Sequence, residues 1–235
     1  MSSYIRVSGG LALVLVLVVA GAALRISGGG PLPIDTTIMS ATTRLHTPHR
    51  TLVVDVAMQV FSPFAVAVWT ALAAIILLVR DASVLRAVVL VSTVASAGAL
   101  CVTLKVLAAR PRPPVIDQVG VLETTYSFPS GHVAGTAALV VAVASLGARS
   151  AGGSARIALW VCAIVAVVFV CATRLYLGVH WISDVIAAVV VACAATLLVL
   201  PVVEVAMAQW TSRRGHCPNQ TRAPPRGTNT HVASN

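Results

Sequence analysis

The chain alternates long apolar runs with short polar segments. The runs occupy about 9–24, 56–79, 84–104, 132–147, 157–173 and 185–203. Each lies at or near the roughly 17 to 25 residues that cross a hydrocarbon core as a helix. None shows the apolar and polar alternation of a half-buried strand. The pattern therefore predicts an all-α, polytopic membrane protein with about six transmembrane helices. The first run follows Arg6 and ends in small residues at Ala20–Ala23, so it also fits a signal peptide. Retention as an anchor is expected, because its removal would leave five spans with the two termini on opposite sides.

Between the first two runs, segment 25–52 contains Gly28, Gly29, Gly30 and Pro31 and several threonines. It is expected to be a loop along the outer interface. Residues 1–210 are read as one membrane domain, and the polar, basic stretch 211–235 as a disordered cytoplasmic tail. A sequon at Asn219 then lies on the wrong side to be used. No internal repeat of the kind seen in two-halved transporters is apparent.

Composition supports this reading. The 235 residues are 58% hydrophobic and 10% charged, with a mean hydropathy of +0.93, whereas soluble domains are about half apolar and a quarter charged. A net charge of +9 raises the question of nucleic acid, but aromatic and basic residues are not interleaved as base stacking requires. Membrane lipids are the expected partners, and the oligomeric state is left open. The bases also orient the chain. Arg6, Arg80, Arg86, Arg149, Arg156, Arg213, Arg214, Arg222 and Arg226 fall on one side, against Arg25, Arg44 and Arg50 on the other once bases with a candidate chemical role are set aside. The positive-inside bias then places both termini in the cytoplasm of an inner-membrane protein and the odd-numbered loops outside.

Cys101, Cys162, Cys171 and Cys193 sit inside apolar runs and Cys217 stands alone in the tail, which is no disulfide or zinc pattern. His46 and His49 have no nearby carboxylate or thiol to complete a metal set, so they read as solvated loop histidines. Asp55 and Glu204 are expected to be helix-end or bundle-facing residues with local partners.

Three polar clusters stand at outer ends of the runs. The first is Lys105 with Arg110, Pro111, Arg112 and Pro113. Snorkelling explains cations there, but not two prolines that fix the chain and aim the arginines. The second is Pro129, Ser130, Gly131 and His132, at a helix start where free backbone N–H groups and the dipole favour an anion. A turn or cap also uses Pro, Ser and Gly, although it does not need an imidazole. The third is Thr173 and Arg174, then His180 and Asp184 four residues apart, about one helical turn. A carboxylate against one imidazole nitrogen fixes the tautomer and frees the other nitrogen to attack. A helix-end His and Asp pair is the alternative. Together the clusters offer three cations, a hydroxyl, a backbone N–H and two histidines, which suits phosphoryl transfer with no metal or other cofactor.

These clusters resemble the three-part signature of the type 2 phosphatidic acid phosphatases, or PAP2 family. Its parts are Lys, six residues and Arg-Pro; Pro-Ser-Gly-His; and Ser-Arg, five residues, His, three residues, Asp. Lys105, Arg112 and Pro113, then Pro129 to His132, then Arg174, His180 and Asp184 match at the family's spacing, with Thr173 for the usual Ser. The resemblance implies a PAP2/haloperoxidase-like helical bundle. It implies His180 as nucleophile, Asp184 as its partner and His132 as the acid. It makes Lys105, Arg112, Ser130, Gly131 and Arg174 a phosphate cradle. The vanadium haloperoxidases of this family are soluble, so six spans favour its lipid-phosphatase branch.

The expected function is hydrolysis of a lipid phosphate or diphosphate through a phosphohistidine, on the extracytoplasmic side. Polyprenyl diphosphate, phosphatidate, phosphatidylglycerol phosphate and a prenyl-linked sugar phosphate are the candidate substrates. The alternatives are a phosphotransferase that uses the same intermediate and a non-catalytic phosphate-lipid transporter or binding protein, in which two histidines and Asp184 would have no purpose.

Overall fold

The computed structural model describes residues 3–215, and all regular structure among them is helical. The helices are α1 (Ser3–Ile26), α2 (Pro33–Thr43), α3 (Pro48–Gln59), α4 (Pro63–Val79), α5 (Val84–Ala108), α6 (Gly131–Gly147), α7 (Gly153–Tyr176) and α8 (Ile182–Gly215). One 3₁₀ turn lies at Val115–Asp117.

Every apolar run is helical, but the runs differ as spans. α1, α5, α7 and Ile182–Ala206 of α8 are each long and apolar enough to cross a membrane. The second run is divided. α3 and α4 together make a fifth span, bent by 43° at their junction. Pro63 has no N–H to give the preceding turn, and the Ser62 hydroxyl caps the new helix by accepting from the Ala65 N–H at 3.2 Å. α6 is apolar but has 17 residues, at the short limit of a crossing. The molecule is thus a multi-pass membrane protein of four or five full spans plus a shorter core helix.

Segment 25–52 departs from expectation. Its glycine-rich start and the short connection 44–47 are irregular; α2 and the first turn of α3 occupy most of the rest. Both helices begin at a proline, whose fixed φ suits a first helical position, and Thr47 accepts from the Arg50 N–H at 3.3 Å. Gly and Thr content concealed these start signals. Another difference is at the carboxyl end, where α8 continues through residue 210 to Gly215. Residues 216–235, with Cys217, Asn219 and most of the expected tail, lie outside the described residues.

α8 forms the centre, packed on α1, α5 and α6, while α6 also contacts α5 and α7. The contacts are made by small side chains, with Ala97, Ala134, Ala138, Ala188 and Ala192 all fully buried. Lipid tails are as apolar as leucine, so close backbone approach rather than water exclusion must hold such helices together. Ile157, Val161, Ile164, Val165 and Val168 of α7 are exposed and face lipid. The carboxyl ends of α5 and α7 and the amino ends of α6 and α8 gather at one end of the bundle. At the other end Glu204 pairs with Arg149 at 3.2 Å, the local partner expected of it.

Candidate active site

Lys105 occupies the last turn of α5, and the following residue pairs Arg110-Pro111 and Arg112-Pro113 carry the chain across the end of the bundle. The Lys105 Nζ donates to the Tyr126 carbonyl at 2.6 Å. Arg112 donates to the Thr125 and Val179 carbonyls, each at 2.7 Å, which ties the loop before α6 to the turn before α8. A third Arg112 contact reaches a candidate catalytic residue, since its guanidinium lies 3.1 Å from Nε2 of His180.

His180 is fully buried in the turn between α7 and α8. That turn depends on Gly178, whose φ of +66° is open to glycine and whose Cβ position would run into the Asp117 carbonyl. Asp184 lies in the first turn of α8. Its Oδ2 lies 3.5 Å from His180 Nδ1 and accepts from the Trp181 N–H at 3.0 Å. The His180 and Asp184 pair is therefore in place, but Nδ1 makes no hydrogen bond at this separation. With Nε2 facing a guanidinium donor, the proton belongs on Nδ1, toward Asp184. Burial, then the positive charges of Arg174, Arg112 and Lys105, hold this imidazole well below its usual range, so it is neutral at pH 7.

Ser130 caps α6 without using its hydroxyl, and its N–H donates to the Asp184 carbonyl at 3.3 Å. Four buried side-chain N or O atoms lack a partner among the described residues. Three of them are Ser130 Oγ, Arg174 Nε and His180 Nδ1, all site residues, and the fourth is Thr136 Oγ1. Such atoms are costly to bury unless something else satisfies them. The Gly131 Cβ position faces open space. His132, one residue on, lies within electrostatic range of Arg174, Glu123, Arg112 and Lys105. All eight expected residues thus converge on one end of the bundle. The Thr173 hydroxyl turns away, toward Met58 and the Val170 carbonyl.

Two acidic residues outside the three motifs join the site. Glu123, in the loop before α6, pairs with Arg112 through Oε2 at 2.7 Å and with Arg174 through Oε1. Burial alone would raise its carboxyl, but Arg174 and Arg112 hold it down at about 2. Asp35 on α2 is buried and pairs with the equally buried Arg110 at 2.7 Å, while Arg110 pairs with Asp184 at 2.6 Å. Glu123 was legible only as an acid in an outer loop otherwise facing cations. Asp35 gave no signal, because its segment read as loop. His46 also departs from expectation: its Nε2 lies 2.6 Å from the Tyr176 carbonyl, with the two rings edge to face. Among the described residues no group of three or more His, Cys, Asp or Glu is arranged to hold a metal ion.

The PAP2 superfamily model matches residues 86–208, which contain all three clusters. The chain belongs to the PAP2 superfamily. Two crystal structures resemble it. One is the first transmembrane PAP2-type phosphatidylglycerolphosphate phosphatase from Bacillus subtilis, at 20% identity and a TM-score of 0.63, covering 91% of this chain and 98% of that one. The other is Aquifex aeolicus LpxE, at 16% identity and a TM-score of 0.59, covering 72% and 96%. Among curated protein sequences, none matches significantly. At these identities the likeness is one of fold.

Proposed function

We propose that this PAP2 protein hydrolyses a membrane lipid phosphate or diphosphate through a phosphohistidine on His180, at the extracytoplasmic face of the inner membrane. One observation supports this most. The Glu123 carboxylate bridges Arg112 and Arg174, beside the buried Nε2 of His180 that contacts Arg112. A carboxylate held in this way stands where two oxygens of a phosphoryl group would bind.

In this mechanism the substrate phosphate takes the place of Glu123 between the arginines. Lys105, the Ser130 hydroxyl and the Gly131 N–H complete the cradle and stabilise the charge on the equatorial oxygens. His180 Nε2 attacks phosphorus as the bond to the lipid oxygen breaks, and His132 gives that oxygen a proton. Nδ1 keeps its proton, and Asp184 stabilises the resulting cation. Water, deprotonated by His132, then attacks the phosphohistidine and releases phosphate and free His180. The substrate is an amphiphile, because the site lies at the end of a bundle whose flanks face lipid. Phosphatidate, phosphatidylglycerol phosphate, polyprenyl diphosphate and a prenyl-linked sugar phosphate all meet this requirement.

The test is covalent trapping. Quenched within one turnover on a ³²P-labelled lipid phosphate, the purified protein should carry acid-labile label, and His180→Ala should carry none. Equal labelling of His180→Ala would remove the nucleophile. A panel of the four lipid classes under the same conditions would then identify the substrate.

A further inference from the structure

Behind His180 the signature carboxylate Asp184 joins a buried charge network whose other members, Arg110, Asp35 and Ser183, the phosphatase signature does not include. Arg110 is completely buried. Its NH1 donates to Asp184 Oδ1 at 2.6 Å and to the Ser183 hydroxyl at 2.7 Å, and its NH2 donates to Asp35 Oδ2 at 2.7 Å. The remaining N–H groups reach the Gly29 carbonyl at 3.3 Å and the Gly30 carbonyl at 3.2 Å. The guanidinium also lies 5.7 Å from the centre of the Trp181 ring. The Asp35 carboxylate accepts from both the N–H and the hydroxyl of Ser183, the residue before Asp184. A connection therefore runs from α2 through one guanidinium to the carboxylate that faces His180.

We propose that Arg110 and Asp35 are positioning residues for phosphoryl transfer. Arg110 fixes the Asp184 carboxylate with Oδ2 toward His180, and Asp35 offsets the charge of Arg110 so that Asp184 keeps its negative field on the imidazole. The geometry accounts for both halves. Asp184 Oδ1 is taken by Arg110, so the carboxylate cannot rotate and Oδ2 is left for the Trp181 N–H and the His180 side. A lone Arg110 against Asp184 would form a neutral pair and leave nothing to stabilise the cation that forms on His180. With Asp35 on its other edge the network has two carboxylates and one guanidinium, a formal charge of −1. Breaking a buried pair without replacing its charge is costly, which explains the many contacts that hold Arg110. The glycine-rich start of segment 25–52 has a matching role. Gly29 adopts φ +72° and its Cβ position is 2.7 Å from Pro111, so only glycine brings that carbonyl onto Arg110.

The proposal rests on His180 as the nucleophile, and the test keeps the two apart. Asp35→Asn preserves shape and removes only charge. It should bind vanadate within twofold of wild type, because the cradle is untouched, and lose at least tenfold in single-turnover burst rate on an aryl phosphate. Asp35→Asn/Arg110→Gln restores the formal charge of −1 and should burst at least threefold faster than Asp35→Asn alone. A wild-type burst rate in Asp35→Asn, or a double variant slower than the single, would overturn the proposal, since a contact that only held the fold would be lost twice over. Should the charge variants fail to fold, Ser183→Ala loosens the same network at constant charge. It should slow the burst at least threefold at unchanged vanadate affinity, and a wild-type burst rate there would equally overturn the proposal. His180→Ala in parallel separates the failures: a normal burst in it removes the phosphohistidine itself, whereas no burst in it beside a normal burst in Asp35→Asn removes only the positioning role.

Discussion

Glu123 pairs with Arg112 and Arg174, the two arginines proposed to bind the substrate phosphate. Replacing it with Gln should free Arg112 and Arg174 and tighten vanadate inhibition by roughly three- to tenfold, equivalent to about 1 kcal/mol. Unchanged or weaker inhibition would make Glu123 an organiser of the arginines instead of a rival to phosphate. Its titration has a sign that can be checked. The carboxyl is held at about 2 in the folded protein, below the ordinary glutamate value of about 4.3. The unfolded chain therefore takes up the proton first as pH falls. The stability that Glu123 adds is fully present above about 4.3 and is lost toward about 2. The gap in thermal stability between wild type and Glu123→Gln should shrink over that interval, and a gap constant from pH 5 to pH 2 would contradict the ion pairs. His132 is tested by leaving group. General acid catalysis contributes about 10² to 10⁴-fold where departure is hard and little where it is easy. His132→Ala should keep its single-turnover burst on a nitrophenyl phosphate and lose most of it on a lipid monophosphate. Equal losses would leave His132 as part of the cradle only.

At the scale of elements, the site depends on two short connections that touch each other. The Leu177 carbonyl accepts from the Val119 N–H at 3.0 Å, and Gly178 lies against the Asp117 carbonyl. The turn that presents His180 is thereby docked on the loop that carries Glu123. Gly178→Ala should force apart these connections. The φ of +66° alone costs an L-residue roughly 1 to 2 kcal/mol, and the contact with Asp117 adds to it. A lower melting temperature together with a lower burst rate is expected, and an unchanged value of either would show that the turn can relax. The sequence made the motif-bearing ends of α5, α6, α7 and α8 legible, because Pro, Gly, His and Arg interrupt runs that are otherwise Val, Ala and Leu. It did not reveal α2, since the helix-start prolines lay among glycines and threonines that read as loop. With α2 went Asp35, whose partner Arg110 is 75 residues away in the chain and had no visible reason to be buried. The break between α3 and α4 was signalled by Ser62 and Pro63 but submerged in an apolar run, where a span was the simpler expectation.

Across the whole molecule the site residues gather at one end of the bundle and a second set of arginines lies at the other, which gives the proposed orientation a physical basis. The site end carries Lys105, Arg112 and Arg174 in specific contacts, whereas Arg80, Arg86, Arg149 and Arg156 flank connections at the other end. Arg86 and Arg149 pair with Asp81 and Glu204, but the bias counts basic residues near span ends whether or not they are paired, so the second end should be cytoplasmic. Single cysteines in a background lacking the native five decide the matter. Thr37 on α2 and Ile116 in the loop between α5 and α6 are exposed at the site end, and Ala82 is exposed between α4 and α5. With a membrane-impermeant maleimide on intact cells, Thr37→Cys and Ile116→Cys should label, and Ala82→Cys should label only after the membrane is opened. The pattern tests more than orientation. α2 supplies Asp35 to Arg110, so Thr37 and Ile116 must respond alike if α2 is docked over the site as a fixed element. Protection of Thr37→Cys with free labelling of Ile116→Cys would mean that α2 sinks into the interface instead. Labelling of Ala82→Cys from outside, with protection of the other two, would invert the protein and place hydrolysis in the cytoplasm.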